Sequence, residues 1–297
     1  MLLTAGIGSP SIALVREKRM AITLNENTVA AQPIETGVMR QMLLTDERVK
    51  DTSVLLDRIT LAAGATLKFE FSAKTLAWFQ MIEGKATFHS LYTDLLTDVH
   101  SMLLPPRISA TLWSEHGASL LYAEIPDAGR VDPGFTVDVP LLMAIDWTRE
   151  EVFASEHDAR KRIALVTAKM CGTAAMKVEM VIYPAGCASP KYRHEDANTF
   201  MYLLSGGGTA WVDGRQLPIR AGDLLYFPNR ETHFLKANDT GEMRFLEFIV
   251  PGAFKTVWAD QSKMSAWRST DRDIHGFETL QDERLRRSFR FTNAFGI

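Results

Sequence analysis

The chain has 297 residues, of which 46% are hydrophobic and 23% are charged, a composition typical of soluble globular proteins. Its formal net charge of −3 argues against a surface for nucleic acid or anionic membranes. No apolar run reaches the ~20 residues that a membrane-spanning helix requires. The opening residues lack the pattern of a signal peptide, and Met20 is a second candidate for the native start. We expect a cytoplasmic protein with no nucleic-acid or membrane partner.

Short runs rich in aromatic and β-branched residues, bounded by glycine, proline and Asp-Gly turns, predict antiparallel strands along most of the chain. The turn-rich segment Pro126–Gly134 separates two groups of such runs. After it, Thr148–Glu151 has the spacing of a capping box and predicts a short linking helix that runs to Arg162. The strand runs are 67–71 and 76–82 in the first group, and 177–183, 200–204 and 209–212 in the second.

Glycine, proline and leucine positions of the first group recur in the second group 122 residues later (186 minus 64). This repeat predicts two copies of one β-barrel. The coinciding marks are Gly64 with Gly186, Gly84 with Gly206, Leu103 with Leu225 and Pro106 with Pro228. The predicted divisions are an N-terminal arm (1–36), a first barrel (37–128), a linker with a short helix (129–168), a second barrel (169–258) and a C-terminal arm (259–297).

Residues 186–206 and 222–233 resemble the two sequence motifs of the cupin superfamily, small jelly-roll barrels that often hold one metal ion. The resemblance implies an all-β fold of two jelly-roll barrels, a degenerate first barrel that is structural or closes a pocket, and a homodimer. In the cupin pattern, two histidines one residue apart, a glutamate and a last histidine bind the metal. Those positions hold Tyr192, His194, Thr199 and His233 in the second copy, and Glu70, Ser72, Ala77 and Thr111 in the first.

The first of three interpretations of the second copy is a metal site that Asp196 completes together with His194 and His233. Two histidines and one carboxylate leave open positions for dioxygen or substrate, which suits iron(II). The order of these residues is similar to that in oxoglutarate-dependent oxygenases, and this likeness implies that Arg244 binds a cosubstrate carboxylate. We therefore expect an oxidoreductase with one divalent, iron-like ion that activates dioxygen or polarises a substrate oxygen. Alternative third ligands are the Tyr192 phenolate and Glu195.

The second interpretation has no metal, and Tyr192, His194 and His233 act as acid, base and hydrogen-bonding groups of an isomerase or lyase. Histidine titrates near neutral pH and can move protons. Thr199, in place of the metal-binding glutamate, favours this interpretation. In the third, the histidines are structural and the protein only binds a ligand or a partner. We expect a small-molecule substrate in the second barrel.

Overall fold

The structure, a computed structural model, describes residues 21–50, 52–136, 140–212 and 214–279, so the candidate start at Met20 lies outside it. The strands of the first half are β1 (Ile22–Asn25), β2 (Gln32–Glu35), β3 (Val38–Leu44), β4 (Leu55–Leu61), β5 (Thr66–Glu70), β6 (Leu76–Gly84), β7 (Ala86–His89), β8 (Thr93–Leu96), β9 (His100–Leu104), β10 (Ser109–Trp113), β11 (Ala118–Ile125) and β12 (Met143–Asp146).

The strands of the second half are β13 (Val152–Ser155), β14 (Lys161–Val166), β15 (Lys177–Tyr183), β16 (Tyr192–Glu195), β17 (Asn198–Ser205), β18 (Gly207–Val212), β19 (Arg215–Arg220), β20 (Asp223–Phe227), β21 (His233–Ala237), β22 (Met243–Val250), β23 (Lys255–Trp258) and β24 (Trp267–Ser269). Helical elements are α1 (Ala168–Cys171) and 3-10 turns at Glu26–Thr28, Ala128–Arg130, Trp147–Arg149 and Gln261–Lys263. No helix in these described ranges is long and apolar enough to cross a bilayer.

Each half of the chain contributes most strands of one barrel built from two antiparallel sheets. The first barrel joins the sheet β12-β9-β6-β11-β4-β3-β2 to the sheet β5-β10-β7-β8. The second joins the sheet β1-β20-β17-β22-β15-β14-β13-β24 to the sheet β19-β18-β21-β16-β23. The prediction of an all-β fold with two jelly-roll barrels is confirmed.

The repeat found in the sequence is a repeat of strands. β15 follows β4 at an offset of 122 residues (177 minus 55), and both strands are seven residues long. Gly84 and Gly206 adopt φ angles of 77° and 73°, which glycine tolerates best. A Cβ atom would approach the carbonyl oxygen of Gly117 to 2.4 Å at Gly84, and that of Glu242 to 2.1 Å at Gly206. Both copies therefore need glycine at this turn.

The two copies exchange a strand. β1 precedes the first barrel in the chain but pairs with β20 of the second, with Ile22 opposite Tyr226. β12 occupies the corresponding place before the second barrel and pairs with β9 of the first, with Met143 opposite Leu103. As a result, β1 of the predicted N-terminal arm and β12 of the predicted linker are sheet strands that belong to the barrel of the other copy.

The larger sheets of the two barrels pack back to back over a shared apolar core. The Phe248 ring of the second barrel stacks on Phe200 at 4.7 Å and meets the Trp78 ring of the first barrel edge-on at 5.1 Å. Trp78, Phe200 and Phe248 are completely buried. Each large sheet therefore buries both faces, one in this shared core and one in its own barrel.

The prediction of a linking helix from Thr148 to Arg162 was wrong. The segment forms only the 3-10 turn Trp147–Arg149, whose backbone is capped by the Asp146 side chain, which accepts from the Thr148 amide at 3.0 Å. The residues that follow form the β13–β14 hairpin instead, with Val152 opposite Ile163. The segment forms strands because it pairs with neighbouring strands at the edge of the large sheet, and a local capping pattern does not reveal such pairing.

The interior of the first barrel is filled by aromatic rings. Phe69 stacks on Phe79 at 5.6 Å, and Phe88 lies 6.3 Å from Phe79. Of the four cupin-pattern positions of this copy, Ala77 is buried in the apolar core, whereas Glu70 and Ser72 are exposed. These positions therefore do not converge on a polar site.

Candidate active site in the second barrel

A cavity of about 260 Å³ lies in the second barrel. Its lining residues all fall between Arg160 and Trp267, so the first barrel does not help to close it. Alternate residues of each strand face the cavity because successive side chains of a strand point to opposite faces. They are Lys177, Glu179, Val181 and Tyr183 of β15, Tyr192 and His194 of β16, and Phe245, Glu247 and Ile249 of β22.

The structure brings together the four residues at the cupin-pattern positions. The Tyr192 ring lies 5.2 Å from the His194 ring and 4.6 Å from the His233 ring, and the two imidazoles are 6.2 Å apart. Thr199 contacts His194, with 2.7 Å between Oγ1 and Nδ1. β16 contributes Tyr192 and His194 at positions i and i+2, as a pair of inward-facing residues requires.

His233 is held as a neutral imidazole. Its Nδ1 donates to the carbonyl oxygen of Glu231 at 3.0 Å, and its ring stacks on Phe227 at 4.0 Å. Burial lowers the pKa of His233 to about 4. Its Nε2 is consequently a buried acceptor, and it has no hydrogen-bond partner among the residues that the structure describes.

His194 is also neutral. Burial, followed by the charges of His233 and Lys177, lowers the pKa of His194 to about 3. Its ring faces the cavity and meets the Phe254 ring at 4.6 Å. The barrel interior disfavours the charged imidazolium, so the pKa values of both histidines lie below the range that is usual for histidine.

Glu247, which the sequence analysis did not single out, is the cavity group that titrates near neutral pH. It is 8% exposed, and the Tyr192 hydroxyl donates to its Oε1 at 3.3 Å. Burial, together with the charge of Glu179 opposite it on β15, raises the pKa of Glu247 to about 7, although Lys177 lowers it in part. Burial and the Glu247 charge also raise the pKa of Tyr192 well above 10, so Tyr192 keeps its proton.

Basic side chains form the other polar wall of the cavity. Lys177 Nζ lies 2.9 Å from one Glu179 oxygen, and Arg162 Nη1 lies 3.4 Å from the other. Arg160 has its own carboxylate, because its Nε and Nη2 both bind Asp158. Lys177 and Arg162 therefore share a single carboxylate.

The sequence contains a pattern that could have identified Lys177, Glu179 and Glu247 as residues of the site. Lys177 and Glu179 alternate with apolar residues inside a strand, and Glu247 is the single carboxylate of the apolar strand β22. A charged residue on the inward face of an apolar strand is costly unless it is paired, so it indicates a site. Arg162 was missed because its segment was assigned to a helix.

The two carboxylates next to His194 in sequence lie away from the cavity. Asp196 is exposed in the turn after β16, with φ 71°, and its amide donates to Asn229. Glu195 points to the opposite face of β16 and forms an ion pair with Arg193 at 2.7 Å. The structure therefore does not join the predicted third ligand, or its carboxylate alternative, to the histidines.

Arg244 is also on the wrong face of its strand for a substrate clamp. It precedes Glu247 by three residues on β22, so the two side chains point to opposite sides of the sheet. Its guanidinium lies 5.1 Å from the centre of the Trp147 ring and binds Glu242 at 2.8 Å. Arg244 belongs to the region between the barrels and does not line the cavity.

The donor set does not fit a metal centre with three or more protein ligands. Within the described residues, no group of three or more His, Cys, Asp and Glu side chains could hold a metal ion. His194 and His233 provide two nitrogens, Thr199 replaces the carboxylate, and Tyr192 keeps its proton. Protein sites for zinc and iron(II) use at least three protein ligands.

Comparison with known proteins agrees with this architecture. Residues 178–249 match the family model of the cupin domain. The oxalate-binding protein of Thermotoga maritima is 28% identical over 67 residues, 23% of this chain and 55% of that protein. The chain thus spans about half the length of this curated relative.

Solved structures share the two-barrel fold. A mutant of Bacillus subtilis oxalate decarboxylase superposes with a TM-score of 0.65 at 15% identity, over 81% of this chain and 79% of that one. Protein Ylba from E. coli gives a TM-score of 0.64 at 13% identity, over 79% and 92% of the two chains. At such identities the likeness establishes the fold alone. The two-barrel fold is that of a bicupin, and residues 178–249 of the second barrel match the cupin domain.

Proposed function

We propose that the second barrel is an active site that binds a small organic acid and transfers a proton on it without a metal, with Glu247 as the acid–base group. The observation that carries this proposal is the contact between buried Glu247 and Tyr192 in a cavity that also contains Lys177 and Arg162. The reaction class is that of a cupin isomerase or lyase.

The basic wall of the cavity supports an acidic ligand. Lys177 and Arg162 share one carboxylate, so a ligand carboxylate would complete their pairing. Two of the similar proteins are named for a small carboxylic acid, the oxalate-binding protein of Thermotoga maritima and the oxalate decarboxylase of Bacillus subtilis. Oxalate itself has no carbon-bound hydrogen that Glu247 could transfer, so it tests the binding of an acid and not the proton transfer.

Glu247 has the properties of a general acid–base group. With a pKa of about 7, it is present in both protonation states near neutral pH, where proton transfer by one side chain works best. Its carboxylate would take a proton from the bound acid and return it at another atom, so an isomerisation needs no external oxidant or reductant. Tyr192 positions Glu247, and His194 offers a neutral hydrogen-bonding group.

The predicted iron(II)-dependent oxygenase is the competing function. In its favour are the unpartnered Nε2 of His233 within the described residues and the Mn(II) centres named for Bacillus subtilis oxalate decarboxylase. Metal analysis of protein purified without chelator separates the two functions. We expect far less than one transition-metal ion per chain. Near-stoichiometric metal that is lost in both His194→Ala and His233→Ala would replace our proposal with the metal enzyme.

A direct test of proton transfer does not require knowledge of the product. Wild-type protein is incubated with a panel of small organic acids, including unsaturated and 2-oxo acids, in D₂O, and proton NMR detects exchanged positions or new compounds. We expect Glu247→Gln to abolish the exchange. The matched control is Glu124→Gln, because Glu124 accepts from Tyr122 at 2.6 Å in the first barrel. Tight binding of an acid without turnover in any wild-type sample would indicate a binding protein instead.

A further inference from the structure

We infer that the acid bound in this cavity is a monocarboxylate with a flat apolar body of about one ring, and not a dicarboxylate such as oxalate. This inference rests on the proposed function and specifies its substrate class. It follows from the position of two cations beside aromatic rings in the cavity wall.

One subsite is suited to a single carboxylate. Arg162 and Lys177 face one shared partner, Glu179. In addition, the Nε of Arg162 is buried and finds no hydrogen-bond partner in the part of the chain that the structure describes. A buried N–H group without a partner is costly, and a carboxylate is its strongest partner. Arg160 offers no second subsite, since Asp158 binds it with both oxygens.

The wall next to these cations is aromatic. Lys177 Nζ lies 5.2 Å from the centre of the Phe254 ring, and the Arg162 guanidinium lies 4.8 Å from the centre of the Trp267 ring. Trp258 also lines the cavity, with its ring 5.3 Å from that of Tyr192. A carboxylate held between the cations therefore places the rest of the ligand against ring faces, where a flat apolar group binds best.

A dicarboxylate fits this arrangement poorly. Its second carboxylate would lie near the aromatic wall or near Glu179 and Glu247, and an unpaired buried charge is strongly disfavoured. Oxalate also has no apolar body that would release water from the rings. The cavity volume of about 260 Å³ lies just below the range of about 300–1,000 Å³ of sites for drug-sized ligands, which indicates a small molecule.

The experiment compares four probes on the full chain by isothermal titration calorimetry: benzoate, cyclohexanecarboxylate, benzamide and oxalate. We expect benzoate to bind at least about tenfold more tightly than benzamide, which lacks the charge, and than oxalate, which lacks the ring. Cyclohexanecarboxylate should lie between benzoate and oxalate because it is apolar but not flat. Oxalate that binds more tightly than benzoate would overturn this inference and leave the proposed function intact. If none of the acids bound in the cavity, both would be overturned.

Two variants locate the binding. We expect Arg162→Gln to weaken benzoate binding about tenfold or more and Arg162→Lys to restore part of it, because the charge returns. The matched control is Arg40→Gln, which lies 122 residues earlier (162 minus 40) and removes the corresponding cation of the first barrel. Thermal unfolding of each variant shows whether it is folded. Benzoate binding that survives in folded Arg162→Gln but is lost in Arg40→Gln would also overturn the inference.

Discussion

The two barrels share most of their strands, although each sheet of the second has one strand more, and their interiors differ. In the first barrel, Phe69, Phe79 and Phe88 fill the space between the sheets. In the second, the apolar core occupies part of the interior and leaves a cavity with charged walls. The copies therefore share a scaffold, but in the described residues aromatic rings fill the interior of the first barrel, whereas the second contains a cavity with polar walls.

An ion pair at equivalent positions of the two barrels shows how their buried charged residues differ. Arg40 binds Asp57 at 2.5 Å in the first barrel, and Arg162 binds Glu179 at 3.4 Å at the positions 122 residues later. The residue opposite Asp57 is Tyr122, whereas the residue opposite Glu179 is Glu247. A second buried carboxylate beside an open cavity thus distinguishes the barrel to which we assign chemistry.

The largest expected effect is a loss of stability when the filled interior of the first barrel is emptied. Phe79→Ala should lower the free energy of unfolding by about 3–5 kcal/mol, because it empties a completely buried site between Phe69 and Phe88. Trp258→Ala should cost less than about 2 kcal/mol, because Trp258 is half-buried and already borders a cavity. Urea unfolding measures both. Equal losses would mean that the two interiors are packed alike.

The next effect concerns acid stability. Unfolding restores the pKa of His233 from about 4 to its usual 6.5. Between these two pH values, His233 is therefore protonated in the unfolded chain and neutral in the folded protein. The contribution of neutral His233 is fully present above pH 6.5 and is lost as pH falls towards 4. Relative to His233→Leu, wild-type protein should therefore lose about 3 kcal/mol of stability between pH 7 and 4. Parallel pH profiles of the two proteins would contradict the neutral, buried imidazole.

Glu247 should produce a smaller effect of opposite sign. Its pKa is raised from 4.5 to about 7, so the folded protein holds the proton more tightly, and stability falls as pH rises from 4.5 to 7. Glu247→Gln removes this loss. Above pH 7 we expect the free energy of unfolding of the variant to exceed that of wild type by about 2 kcal/mol, after the weakened contact with Tyr192 is included. The control is Glu124→Gln in the first barrel. A variant that is less stable than wild type at pH 8 would contradict the raised pKa.

The smallest effect should come from Arg244. Because it points away from the cavity and packs on Trp147, Arg244→Gln should change benzoate affinity by less than about twofold, a difference well below 1 kcal/mol. Arg162→Gln in the same titration provides the contrast. A loss of affinity in Arg244→Gln as large as that in Arg162→Gln would restore Arg244 as the carboxylate clamp.

The framework of the fold could be predicted from the sequence because its marks are local. Gly84 and Gly206 occupy turns that only glycine fits, and their recurrence revealed the duplication. The strand exchange of β1 and β12 could not be predicted, because pairing with the other copy leaves no local pattern. The prediction of a linking helix failed for the same reason, because β13 is stabilised by pairing with its neighbours in the sheet.

The site was only partly predictable. The cupin pattern located Tyr192, His194 and His233, which lie together in the structure. The pKa values of the histidines could not be predicted, because they depend on burial that spacing does not report. Glu247 lies 55 residues from Tyr192 in the chain and meets it only because β16 and β22 face the same cavity.

The central claim is that the second barrel holds an acid–base carboxyl in a cavity without a metal centre. Its most direct test is a pH titration of the glutamate carboxyl carbons by ¹³C NMR in wild type and Glu247→Gln. We predict one resonance with a midpoint at about pH 7 that disappears in the variant. Ordinary midpoints near 4.5 for all glutamates, with no difference between the two proteins above pH 6, would contradict the account.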